Sequence, residues 1–162
     1  MGIDRRSALV IASGMIVGCT LHTARGQNSS VFDPVAMAKL RAGEIAREIA
    51  KSNRDASVPA PSSDEIFSTG LLLQAGLRAL LPAQQRQGIA LPGAPSPTDP
   101  EDLVAAQDNY KAVFESGAEP TPAQKAMALK SIELATEQLR KAGYTSLAAS
   151  VAEWLRTQGP AQ

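Results

Sequence analysis

The side chains with the greatest chemical potential in this sequence are one histidine, His22, one cysteine, Cys19, and two pairs of glutamates. A single histidine and a single cysteine do not suffice for a zinc site built from these residue types, nor for a Ser-His-Asp or Cys-His catalytic device. His22 also lies in a polar stretch near the N-terminus, where no rigid scaffold would hold a general base. We therefore expect no catalytic role for either residue.

The glutamate pairs are Glu44 with Glu48 and Glu133 with Glu137. A spacing of four places each pair on one helix face, where two carboxylates can bind a metal or act as acid and base. Their charged neighbours favour a solvated surface instead. Trp154 lies on an apolar stripe, which indicates a core residue rather than a ligand platform. Since no phosphate loop, EF-hand loop or dinucleotide fingerprint is present, the sequence predicts no enzyme, cofactor or metal site.

Sixteen Lys and Arg balance sixteen Asp and Glu. Residues 1–18 hold two arginines and one aspartate, so the remainder carries 14 positive and 15 negative side chains. A nucleic-acid binder usually shows a basic stripe, so we expect no nucleic-acid partner. Aromatic residues make up only 4% of the chain while alanine is abundant, which favours close-packed helices over strands. The composition predicts an all-α fold.

The first 19 residues have the pattern of an export signal. Arg5 and Arg6 precede an apolar run over residues 8–18, which is too short to span a bilayer. The sequence IVGC at residues 16–19 then resembles the lipobox of bacterial lipoprotein precursors. This resemblance implies that residues 1–18 are a signal peptide, and that Cys19 becomes the mature N-terminus and receives a diacylglyceryl group. The protein would then be held on the periplasmic side of the inner or outer membrane.

An alternative is that Cys19 is an ordinary residue of a signal peptide that is cut later, at the small-x-small site of residues 24–26. The export route also remains open. Arg5 and Arg6 with Leu9 resemble a twin-arginine signal, although Asp4 and Ala8 depart from that pattern, and two arginines can simply supply positive charge. Residues 19–32 are polar without periodicity, and we interpret them as a disordered tether.

Apolar periodicity and capping signals predict about five amphipathic helices after the tether. We expect a helical hairpin over residues 33–82, a Pro-rich linker over 83–98 and a three-helix unit over 99–162. The predicted N-terminal caps are Asp33, Ser62, Asp99, Thr121 and Thr145, and the first helical residue after Asp33, Asp99 and Thr121 is a proline. The predicted helices end near Lys51, Pro82, Gly117, Gly143 and Gly159.

The second predicted helix is more apolar than one buried stripe requires. Leu71, Leu72 and Leu81 widen its apolar surface. Either this helix is central, or some of these leucines form an exposed surface for a protein partner. We name these three residues as the candidate partner surface.

Two function classes follow from these patterns. The first is a lipid-anchored accessory protein of an envelope machine of secretion or conjugation type. The sequence VFDP at residues 31–34, followed by an amphipathic helix, is similar to the start of mature minor pilins of conjugative systems, although helix capping alone explains it. The alternative is a small non-catalytic subunit of an exported membrane-bound dehydrogenase, which the twin-arginine resemblance suggests. Neighbouring genes would distinguish the two classes.

Overall fold

The computed structural model describes residues 32–159, which form six α-helices. This confirms the predicted all-α fold. The helices are α1 (Pro34–Lys39), α2 (Ala42–Lys51), α3 (Ser63–Leu80), α4 (Glu101–Ser116), α5 (Pro122–Lys141) and α6 (Thr145–Thr157), with a short 3-10 turn at Ala83–Arg86.

Three predicted N-terminal caps are confirmed. The Asp33 carboxylate accepts hydrogen bonds of 3.0 Å from the first two free amides of α1. Ser62 and Glu65 form a reciprocal capping box at the start of α3, and Thr121 and Gln124 form another at the start of α5. Each device satisfies amides that the first helical turn leaves unpaired, which is why local sequence is enough to predict it.

The first predicted helix is interrupted, which corrects its expected course from Pro34 to Lys51. Leu40 and Arg41 are extended, with ψ of 152° and 157°. The Leu40 carbonyl accepts hydrogen bonds from the side chains of Gln74 (3.0 Å) and Arg78 (2.9 Å) of α3. The Glu44 carboxylate accepts from the Arg41 amide at 2.7 Å and so caps α2. Tertiary contacts therefore stabilise a break that the apolar periodicity did not show.

Two other predicted caps are wrong by one residue. Pro100, rather than Asp99, occupies the cap position of α4. The Asp99 carboxylate instead accepts from the Ser96 amide at 2.8 Å in the preceding turn. Tyr144 occupies the cap position of α6, so Thr145 is the first helical residue.

Helix α3 is the central helix of the fold, which is one of the two interpretations that its wide apolar surface allowed. Ten of its residues are buried, and it packs against α1, α2, α4 and α5. Close approach to α5 depends on Gly76, because a Cβ atom there would lie 2.6 Å from Ile132 Cγ1 and 2.7 Å from the Ala128 carbonyl oxygen. Gly76 therefore permits close packing of α3 on α5, and the stabilisation from this packing offsets the poor helix propensity of glycine.

One cluster of buried residues joins all six helices. It includes one or more residues of each, for example Ala38, Ile45, Leu73, Tyr110, Ile132 and Val151. The predicted hairpin and the predicted three-helix unit therefore share one core in the described part of the chain.

Two buried arginines connect this core to the segment between α3 and α4. Arg78 donates to the Ala38 carbonyl (2.8 Å) at the end of α1 and to the Tyr110 hydroxyl (2.9 Å). Arg86 donates to the carbonyls of Val113 (3.1 Å) and Ala118 (2.7 Å) at the end of α4. Carbonyls at helix C-termini carry partial negative charge, which compensates much of the cost of burying a cation.

Candidate functional site

An open groove of about 830 Å³ lies where the N-terminal half of α3 meets the C-terminal end of α5. Two loop segments, residues 59–61 and residues 98–100, also line it, and we call them its walls. A cavity of this size lies in the range of ligand and peptide sites in proteins. It is therefore the feature that we consider as a functional site.

The floor of the groove is apolar. Leu103 and Leu139 are buried there, with 2% and 1% of their surface exposed. Ile66 and Leu71 of α3 line the groove and are half-buried, and Phe67, which also lines it, is 45% exposed. An aromatic ring that remains this exposed retains apolar surface that a partner can cover.

A polar pair interrupts the apolar floor, with Thr69 buried and Gln138 exposed. Thr69 is 5% exposed, and its hydroxyl donates to the side-chain carbonyl of Gln138 on α5 at 2.7 Å. The same hydroxyl lies 2.8 Å from the main-chain carbonyl of Glu65. This bond fixes the register of α3 against α5 beneath the groove.

Acidic side chains outnumber basic ones around the groove. Asp64, Glu65 and Asp99 contribute three carboxylates, whereas Lys141 contributes the one ammonium group among the lining residues. Glu65 and Asp99 also accept main-chain hydrogen bonds, while Asp64 is exposed in the first turn of α3. The groove therefore favours an apolar ligand that carries a basic group.

A close contact with the α5–α6 turn positions the 59–61 wall. The Asp55 amide donates to the Gly143 carbonyl at 2.8 Å. Gly143 has φ of 87°, and a Cβ atom there would lie 3.1 Å from the Asp55 carbonyl oxygen, so this turn requires glycine. The Arg54 guanidinium donates to the Val58 carbonyl at 2.6 Å. Residues 54–58 are thereby fixed just before the wall begins.

The same loop contains a local acidic turn. The Asp55 carboxylate accepts from the Ser57 hydroxyl (2.7 Å) and the Ser57 amide (2.9 Å). These bonds favour the ionised form and lower the pKa of Asp55 below its ordinary value. Because Asp55 is exposed, we interpret the turn as structural rather than catalytic.

The three candidate partner-surface residues lie in two different environments, the groove and the core. Leu71 is half-buried and lines the groove. Leu72 and Leu81 are 2% and 4% exposed and belong to the core, so we correct their assignment to a partner surface. Packing against several helices buries the apolar surface that exceeds one stripe. Cys19, the predicted lipid site, lies outside the described residues.

In the two glutamate pairs that share a helix face, Glu48 and Glu137 form ordinary surface interactions. Glu48 pairs with Lys51 at 2.9 Å, and Glu137 contacts Arg140, while these side chains are about half exposed or more. Between residues 32 and 159, no three His, Cys, Asp or Glu side chains form a group that could hold a metal ion. Trp154 is half-buried and packs edge-on against Phe32, with ring centroids 5.7 Å apart.

Phe67 lines the groove but is not among the residues predicted from the sequence. Phe67 lies four residues before Leu71 on the same helix, so a helical projection places both on one face of α3. The exposed part of that face depends on where residues 59–61 and 98–100 lie, and these loops are brought together only by the fold. Arg78 did carry a sequence signal, because a single cation within an apolar helix indicates a buried polar contact.

Comparison with protein-family models, curated proteins and solved structures finds no match for this chain. In the part of the chain that the structure describes, no helix has both the length and the apolarity to cross a membrane. Function is therefore inferred from the chain's own residues.

Proposed function

We propose that this chain is an exported, lipid-anchored accessory protein of the bacterial cell envelope, which binds a protein partner through the groove at the start of α3. The likeness of residues 16–19 to a lipobox supports the anchor on Cys19 and the periplasmic location. The partner would belong to an envelope machine of secretion or conjugation type.

The observation that carries the binding role is the groove with its half-exposed Phe67. The chain maintains this opening with specific contacts on both sides, namely the Asp55–Gly143 bond beside one wall and the Ser96–Asp99 turn beside the other. A pre-formed site loses less conformational entropy on binding than one that must be ordered.

The chemistry of the groove defines the ligand that fits it. Apolar side chains of a partner segment would contact Phe67 and Leu71, and a lysine or arginine would approach Asp64. Exposed aromatic anchors of this kind often contribute about 2 kcal/mol or more to a protein interface. An exposed ion pair at the rim contributes less, about 0–1 kcal/mol.

The experiment that tests this role compares two matched surface variants of the affinity-tagged full chain. Phe67→Glu places a charge in the groove, whereas Val35→Glu places one at another exposed apolar residue, which is 38% exposed on α1. Proteins that co-purify from detergent-solubilised envelopes are quantified by mass spectrometry for each variant. We expect Phe67→Glu to lose a specific co-purifying protein by about tenfold or more, which corresponds to about 1.4 kcal/mol.

Both variants should fold like the wild type, because surface substitutions usually change stability by about 0.5 kcal/mol or less. Thermal unfolding checks this directly. If Phe67→Glu kept every co-purifying protein at the wild-type level, or if Val35→Glu lost the same protein equally, binding through the groove would be refuted.

A further inference from the structure

The segment between the 3-10 turn and α4 exposes apolar surface outside the groove. Residues 89–96 have neither helix nor strand structure, and residues 93–98 are all exposed. Leu91 is 51% exposed, more than Val35, Phe67 or Met127, the other large apolar residues with substantial exposure. Leu91 therefore presents a long apolar side chain to solvent beside Pro92, outside the core.

The fold holds both ends of this segment. At its start, the Ala90 carbonyl accepts from the Tyr110 hydroxyl and lies 3.4 Å from the Arg78 guanidinium. At its end, the Asp99 amide donates to the Ser96 carbonyl at 3.0 Å, just before α4 begins. Two buried polar side chains therefore fix the position from which Leu91 emerges.

The sequence restricts the segment between these ends. Pro92, Pro95 and Pro97 each fix their own φ near −65°, and each disfavours helical conformation in the residue before it. In a polyproline II helix, with three residues per turn, Pro92 and Pro95 would lie on the same face. Such a segment loses little conformational entropy when a partner binds it.

The main chain of the segment is also open to a partner. Within the described residues, positions 91–95 make no hydrogen bond, so their carbonyls can accept from donors on another protein. Residues 87–98 carry no charged side chain, so recognition here would depend on shape and apolar contact.

We propose that residues 91–97, the sequence LPGAPSP, form a proline-rich recognition segment that docks into a groove lined by aromatic side chains on a partner protein. Aromatic grooves bind extended proline-rich segments because the prolines stack on the rings and the segment is already extended. Leu91 and Pro95 are exposed and Pro92 is half-buried in this segment, whose two ends are fixed. This inference does not depend on the groove at α3, because it rests on different residues.

The test places the photo-cross-linking residue p-benzoylphenylalanine at position 91 of the full chain in its own host. The control places it at Gln85, which is exposed in the 3-10 turn just before the segment. We expect a discrete adduct from position 91 and none from position 85. The combined substitution Pro92→Ala and Pro95→Ala should reduce the yield about tenfold while the midpoint of thermal unfolding stays the same.

A synthetic peptide of residues 89–99 provides the second measurement, in solubilised envelopes. We expect it to compete for the adduct, whereas the same peptide with both prolines changed to alanine should not. The proposal is overturned if position 91 gives no adduct beyond that of position 85. It is equally overturned if the adduct resists both the proline substitutions and the wild-type peptide.

Discussion

Replacing Gly76 by alanine should destabilise the protein, although alanine is the better helix former. The glycine lies within α3, where alanine normally gains about 1 kcal/mol in helix propensity. At this position, however, the new methyl group would lie 2.6 Å from Ile132 Cγ1 and 2.7 Å from the Ala128 carbonyl oxygen. Carbon atoms pack best at about 3.5–4.0 Å, so the contact with Ile132 is too short by about 1 Å. The contact with the Ala128 oxygen is also shorter than the 3.0 Å below which Cβ atoms essentially never approach other heavy atoms.

The surroundings leave little room for relief. Ile132 is fully buried, and the Ala128 oxygen belongs to the main chain of α5, so it moves only if the helix moves. Overpacking of this kind costs about 1–3 kcal/mol, and a clash with main chain belongs at the upper end. Subtracting the propensity gain leaves a net destabilisation of about 2 kcal/mol. For a body of this size we expect the Tm to fall by about 6–10 °C.

The matched control is Gly43→Ala in α2, because a Cβ atom at Gly43 meets nothing within 4 Å. This variant should be slightly more stable than the wild type, by about 0.5 kcal/mol. Thermal and urea unfolding followed by circular dichroism measure both. If Gly76→Ala were as stable as the wild type, the close packing of α3 on α5 described above would be refuted.

Three further predictions concern the core, the pH dependence and the anchor. Leu72→Lys should cost about 3–5 kcal/mol in urea unfolding because it buries an unpaired charge, and wild-type stability would contradict the assignment of Leu72 to the core. Burial raises the pKa of Tyr110 above its ordinary value of 10.0, so its contribution to stability is complete below pH 10 and is lost as the pH rises through the raised pKa. Tyr110→Phe should therefore show a flatter alkaline stability profile than the wild type, and identical profiles would disprove this role. Cys19→Ala should move the protein from the membrane pellet to the soluble fraction, and retention in the pellet after a high-salt wash would contradict the lipid anchor.

The helices could be predicted because their signals are local. The Asp33 cap, the Ser62 and Thr121 capping boxes and the glycine that ends α4 each act within a few residues of chain. Gly117 has φ of 63°, the left-handed conformation expected at a helix C-terminus. Neighbouring residues alone therefore determined these boundaries.

The break at Leu40 and the groove could not be predicted in the same way. The break depends on side chains of Gln74 and Arg78, which are more than thirty residues away in sequence. The exposure of Phe67 likewise depends on loops from three parts of the chain. Periodicity shows that a helix has an apolar face, but it does not show which part of that face other helices cover. Periodicity therefore allows Leu72 and Leu81 a surface position, whereas the fold buries both in the core.

The central claim is that the helical body acts from a lipid anchor on Cys19, and the mass of the purified mature protein tests it most directly. Intact-mass and N-terminal peptide mass spectrometry should show a chain that begins at Cys19 and carries a diacylglyceryl group on its sulfur. A mature chain that begins after Gly26 without lipid, or a chain that retains residues 1–18, would contradict the claim.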